Sequence, residues 1–321
     1  MALNDLKAGV LAGLFVSLGY AEPMSAFPDS SSTHSISTLI TPVVATDGAR
    51  SELICVQPFD YPKRVMYWLP AMGVPAKHYL PLAEAFAAHG IAMALHEWRG
   101  IGSSDHRAGR RSDWNYRQLL EADVAAGMRE ARARWPQATV WIGGHSLGGQ
   151  LACLYASLHS DEVAGIALVA SGAPYWRTFA YAPWLLAAFA LVTPLSQLLG
   201  YLPGRRLGFG GNEARGVIAD WSRSGRTGHY AAHGMAVDFE QQLAALHLPV
   251  LALRLRDDWL APSASLAWLL EKMPRAIKHV GIVTPDQLAG QAADHFTWMK
   301  VPDGIAAQWV DWMDTSSDTR T

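Results

Sequence analysis

The chain has 321 residues, half of them hydrophobic and only 17% charged, with 26 Lys plus Arg against 28 Asp plus Glu. That composition excludes intrinsic disorder for most of the length, and the chain is long enough to bury a core without disulfides or structural metals. A net charge of −2 offers no general attraction to nucleic acid, and the one Arg-rich stretch, Arg107 to Arg111, is short and broken by Ala and Gly.

Residues 1–35 read as a leader or extension. Ala8 to Tyr20 is uncharged, and Gly19 and Ala21 are spaced like a signal-cleavage site. Lys7 is offset by Asp5, however, and three glycines interrupt the apolar run, so a cytoplasmic location is expected and export is the alternative. Ile36 to Pro58 then predicts a β-hairpin turning at Asp47-Gly48. Both cysteines, Cys55 and Cys153, fall in apolar runs and read as small buried hydrophobes. No CxxC, HExxH or other metal-ligand spacing occurs, so neither a metal nor another cofactor is expected.

Strands and helices alternate from there. "RVMYWL" predicts a strand and Leu80 to His89 a helix stopped by Gly90; "IAMALHEW" is a strand and Trp114 to Arg134 a long helix. "TVWIGG" and "VAGIALVASG" are strands on either side of a helix that follows Ser146. The alternation breaks over 175–242 and resumes with the strand "LPVLALRLR", a helix from Ser263 to Met273 and a strand from Ala276 to Val283. Continuous apolar strands at this spacing predict an α/β fold, a mostly parallel sheet with helices on both faces. Its core would be 36–174 and 243–313, with 175–242 a helical cap or lid inserted over one end and 314–321 a flexible tail. Thr178 to Gly204 is uncharged and long enough to span a membrane. Pro183 and Pro194 interrupt it, so buried or ligand-lining helices are expected and membrane contact is not favoured.

Gly144-His145-Ser146-Leu147-Gly148 is a G-x-S-x-G sequence, with an apolar strand entering it and a helix leaving. A serine on so sharp a turn has its hydroxyl held clear of the sheet, and only tiny residues two before and two after let strand and helix approach. A serine hydroxyl needs a base, and that base needs a carboxylate to orient it. Downstream, one strand ends at the adjacent pair Asp257 and Asp258, and His295 stands in a loop before the terminal helix. Of twelve histidines, His295 has the order and placement of a base; His229 and His233 lie in the insertion.

Over 36–313 the chain resembles the α/β-hydrolases, and more narrowly a largely uncharacterised, serine esterase-like group of bacterial members. The stretches that carry the resemblance are "PAMGVPAKHY", "WRGIGSS", "GHSLGGQL", "VASGAPYWR", "YLPGRRLGFG", "RLRDDWLAPSA" and "DHFTWM". It implies Ser146 as nucleophile, His295 as base and Asp258 as the orienting acid, four residues before Pro262, with Asp257 the fallback. It also implies an oxyanion hole formed by the Met72 and Leu147 amides, with Gly73 a further donor. Two departures stand out: Pro70-Ala71 where many relatives have His-Gly, and Asp294 beside His295 where Gly is usual. Glu97, where relatives usually carry Asp, is expected to pair with Arg99.

The expected function is ester hydrolysis through an acyl-enzyme on a small molecule with an apolar acyl or alcohol group. Acyl transfer by the same triad and a non-catalytic binding protein are the alternatives. The insertion's Tyr175, Trp176, Phe179, Tyr181, Trp184, Phe189, Tyr201 and Phe209 would either line an apolar cleft or form the insertion's own core.

Overall fold

The computed structural model describes residues 36–318, so the leader expected over 1–35, and with it the alternative of an export signal, lies outside the described residues. β1 (Ser37–Val44) and β2 (Arg50–Gln57) pair antiparallel, closed by an Ala45 N–H to Ala49 carbonyl bond of 2.8 Å. Gly48, at φ +88°, supplies the left-handed residue this turn needs. Six further strands follow: β3 (Arg64–Leu69), β4 (Ile91–Leu95), β5 (Thr139–His145), β6 (Ile166–Val169), β7 (Val250–Leu255) and β8 (Lys278–Val283). The sheet order is β1-β2-β4-β3-β5-β6-β7-β8, with β2 antiparallel to both β1 and β4 and the remaining pairs parallel.

Strand periodicity sends alternate side chains to opposite faces. Val65, Tyr67 and Leu69 pack into one hydrophobic layer and Met66 and Trp68 into the other. The first layer is covered by α2, which is Gln118–Val124 in π form running on into Ala125–Arg134, and by α3 (Leu147–Leu158). The second is covered by α1 (Leu80–Ala88) and, through Ile305, Trp309 and Met313, by the C-terminal helix Asp303–Asp318. Strands buried on both faces are the reason their sequences read as unbroken apolar runs.

The insertion carries α4 (Ala182–Leu199), a two-residue ladder between Leu202–Pro203 and Asn212–Glu213, and α5 (Arg215–Thr227). α6 (Phe239–Ala245), capped by the Asp238 carboxylate on the Gln241 amide at 3.1 Å, crosses the expected boundary at 242/243. Phe239 and Leu243 of that helix are fully buried in the same hydrophobic layer as α3. α7 (Ser263–Glu271) and α8 (Asp303–Asp318) complete the chain, and α8 continues through the segment expected as a tail, which 314 and its neighbours enter as helix. Both cysteines are free and buried, and burial pushes the Cys153 thiol up to about 12, leaving no thiolate at neutral pH.

Candidate active site

Ser146 is the single residue between β5 and α3, at φ +55° and ψ −119°, a conformation a non-glycine residue adopts only when its surroundings impose it. Those surroundings are two glycines. A Cβ on Gly148 would sit 2.0 Å from the Leu69 carbonyl oxygen at the end of β3, and one on Gly144 would sit 2.4 Å from the Gly148 carbonyl carbon. The Ser146 amide donates to the Val169 carbonyl at 3.2 Å, and the Ser171 hydroxyl donates to the Ser146 carbonyl at 3.0 Å. The half-buried serine is thus fixed at the N-terminus of α3, where unpaired amides favour developing negative charge.

Asp258 lies in the turn after β7 with its side chain fully buried. One carboxylate oxygen accepts the amides of Leu260 and Ala261, at 2.8 and 3.1 Å; the other lies 2.8 Å from His295 Nδ1. An ionised carboxylate only accepts, so the imidazole proton belongs on Nδ1 and Nε2 is left as the basic nitrogen. Asp257 points elsewhere: it is exposed and bound to Arg256 at 3.0 Å, which lowers its pKa. Of the two adjacent acids, Asp258 is the one that meets His295. Asp294 is occupied too, accepting the Phe296 and Thr297 amides and the Thr297 hydroxyl at 2.7–3.0 Å. Trp298 Nε1 donates to the His295 carbonyl at 3.0 Å, and the His295 ring lies 4.7 Å from that of His145, the residue before Ser146.

His145 and Tyr79 join this histidine to the loop after β3. The Ala71 amide donates to Tyr79 Oη at 2.9 Å, so the phenol proton is directed to His145 Nδ1, also at 2.9 Å. Ala71 immediately precedes Met72, one of the expected oxyanion donors. Met72 and Leu147 line one cavity, and Leu147, as the first residue of α3, has no helical carbonyl behind it. Sequence reading missed Tyr79 and His145 as parts of the site, because nothing local marks a tyrosine in "AKHYL" as the partner of a residue 66 positions away.

Burial and the neighbouring His295 lower the His145 pKa well below the ordinary value, and burial lowers that of His96 to about 3. His96 accepts from the Tyr67 hydroxyl at 2.9 Å inside the core. The unfolded chain protonates both rings from about pH 6.5 downward while the folded chain does not. Stability therefore falls as pH drops from about 6.5 to about 5, by at most about 1.4 kcal/mol per pH unit for each ring. Burial also raises Glu97, Asp123, Glu213 and Asp220, which acts in the opposite sense but nearer the carboxylate range. Thermal melts across that window are expected to show the decline, and His96→Gln a shallower one; a flat wild-type profile contradicts this.

The cavity beside Met72 and Leu147 has a volume of about 640 Å³, and its wall mixes Trp98, Ile101 and Val217 with Lys77, Glu97, Arg107, Arg205 and Glu213. None of the insertion's eight aromatic residues, expected either to line an apolar cleft or to form the insertion's own core, lines it. Phe189 and Phe209 pack on Trp221 within the insertion, at 4.8 and 5.4 Å between ring centroids, and Tyr175 packs on Trp268 at 4.9 Å. The Gly210-Gly211 backbone of the insertion lies so close to the loop after β3 that a Cβ on Gly73, at φ +75°, would be 2.1 Å from the Gly211 nitrogen.

The expected Glu97–Arg99 pair does not form. Glu97 accepts the Ala76 amide at 3.1 Å and the Ser103 amide at 3.4 Å, and its carboxylate fills the space a side chain on Gly102 would need. Arg99 instead reaches Asp123 on α2, at 2.6 and 3.0 Å, and Asp47 in the β1–β2 turn, at 2.7 and 3.0 Å. Two fork-shaped pairs satisfy the guanidinium better than one nearby glutamate does.

A family model described as serine aminopeptidase S33 (Hydrolase_4) matches residues 60–284. Similar solved structures include DcsB in complex with its substrate analogue, with 15% identity over 87% of this chain and 97% of that one, at a TM-score of 0.59. The α/β-hydrolase GrgF from Penicillium sp. sh18 has 17% identity over 88% and 98%, at 0.56. The esterase EaEST from Exiguobacterium antarcticum has 15% identity over 86% and 100%, at 0.56. At such identities these structures speak for the fold. No curated protein matches the chain. The family match covers more than half the length and agrees with the sheet order, so the chain belongs to the serine aminopeptidase S33 family of α/β-hydrolases.

Proposed function

We propose that this hydrolase cleaves carboxylic esters through an acyl-enzyme built on Ser146. The observation that carries the reading is the buried 2.8 Å contact between Asp258 and His295 Nδ1, beside the elbow at which Ser146 is held. In this mechanism His295 Nε2 takes the hydroxyl proton as Ser146 Oγ attacks the ester carbonyl. The oxyanion settles on the Met72 and Leu147 amides, fixed donors that need no reorganisation. Collapse breaks the C–O bond and releases the alcohol with the proton returned by His295. Water, deprotonated by the same nitrogen, then frees the acid and regenerates Ser146.

Arg205, Gly211, Asn212, Glu213 and Val217 of the insertion bound the cavity that Met72, Gly73 and Leu147 line, and in this reading they act as its cap. The mixed wall favours an uncharged ester with a polar substituent. The test compares p-nitrophenyl esters of increasing acyl length with aminoacyl p-nitroanilides. Turnover of the esters, with the anilides at least about a hundredfold slower in kcat/KM, is expected. Turnover of the anilides alone overturns the ester reading in favour of peptide-bond chemistry.

A further inference from the structure

α4 turns an apolar side to solvent and a partly polar one to the protein. Ser196 is fully buried and Thr193 faces α5, where its hydroxyl meets that of Ser222 at 2.6 Å. The opposite side carries Trp184, Ala187, Leu191, Leu195 and Leu198, one stripe at helical spacing, all exposed. Leu191 is 68% and Leu198 74% accessible, and only 11% of this 18-residue helix of mean hydropathy 1.5 is buried. The buried or ligand-lining helix expected from composition is therefore an outward-facing apolar surface, of the kind that marks an interaction site.

Charge identifies the occupant. The segment 163–212 contains no Asp or Glu, and its cations are Arg177, Arg205 and Arg206. Arg110 joins them, packed against Gly200 at the end of α4 so closely that a Cβ there would lie 2.4 Å from its Cγ. All four are exposed; Arg110, Arg177 and Arg206 form no ion pair among the described residues, while Arg205 also lines the cavity near Glu213. Trp184 and Tyr181, 56% and 61% accessible, stand at the N-terminal end, aromatic side chains of the type that settle at a headgroup boundary. A second copy docked on this face would set arginines against arginines, whereas an anionic bilayer neutralises them.

We propose that α4 lies flat in the surface of an anionic lipid bilayer, with its Leu191–Leu198 stripe among the acyl chains and the flanking arginines on the headgroups. It does not span: Phe189 and Thr193 are held against α5, and Ser196 is fully buried. The inference is independent of the ester reading.

Flotation of the full chain with phosphatidylcholine vesicles, alone or mixed equally with phosphatidylglycerol, tests it. Strong partition into the mixed vesicles is expected, and Leu191→Asp with Leu198→Asp weakens it at least about a hundredfold without changing the melting curve. Arg177→Glu with Arg206→Glu is expected to abolish the preference for the anionic vesicles. Wild-type chain that ignores both vesicles overturns the proposal. So does undiminished binding by the double Asp variant, which would move attachment to another segment. A dimer in light scattering that the Asp variant dissociates, with no vesicle binding, would make the surface a contact between copies and overturn it equally.

Discussion

Asp258→Asn is expected to lower kcat for ester hydrolysis about 10⁴-fold, while Asp257→Asn leaves it within about twofold. The asymmetry follows from what each side chain already holds. One Asp258 oxygen is claimed by the Leu260 and Ala261 amides, so an asparagine there keeps its carbonyl oxygen on those donors. Its NH₂ group then faces His295 Nδ1, where the second carboxylate oxygen stood at 2.8 Å. A donor facing Nδ1 selects the tautomer protonated on Nε2, and the nitrogen meant to accept the serine proton is already occupied. The loss falls on kcat because geometry and binding survive. Asp257 is exposed and held by Arg256, remote from this exchange. Kinetics on a p-nitrophenyl ester separate the two, and equal losses in both variants would contradict the assignment.

Arg99→Ala is expected to cost about 3–5 kcal/mol of folding stability, read by urea denaturation at neutral pH. The guanidinium is 5% accessible and its Asp123 partner 8%, so truncation strands a buried carboxylate on α2. Its Asp47 partner is 40% accessible and water replaces that pair, which contributes little. Burial already raises the Asp123 pKa with Arg99 present, so in the variant this carboxyl takes up a proton more readily still. Lowering the pH should therefore narrow the gap to wild type. Replacing Asp123 by Leu in the Arg99→Ala background removes the stranded charge and recovers part of the loss. A penalty below about 1 kcal/mol would mean that water reaches Asp123.

What could be read from sequence was whatever local sterics dictate. Gly144 and Gly148 flank Ser146 because any side chain there collides with backbone, a constraint written in five consecutive letters. The β1–β2 turn at Asp47-Gly48 is legible for the same reason. Which of Asp257 and Asp258 faces the histidine is decided by how one turn after β7 is wound, and position in the chain order leaves both open; the Asp–Pro spacing of the resemblance points to Asp258. Arg99 has a glutamate two residues away and ignores it for carboxylates 24 and 52 positions distant, brought close only by the folded sheet. α4 shows the same gap on a larger scale. Its composition says apolar, but whether apolar means buried depends on which neighbours exist to cover it, and α5 covers only one side. α6 is not legible although Asp238 and Gln241 form a readable start, because the Trp-, Pro- and Gly-rich segment before it masks the change of character.

The central claim is that Ser146 is an activated nucleophile, and labelling with a fluorophosphonate followed by peptide mass mapping tests it most directly. A single adduct on Ser146, absent in Ser146→Ala and strongly slowed in His295→Ala, is the predicted result. A folded wild-type chain that takes up no probe, or an adduct that persists in Ser146→Ala, would contradict it.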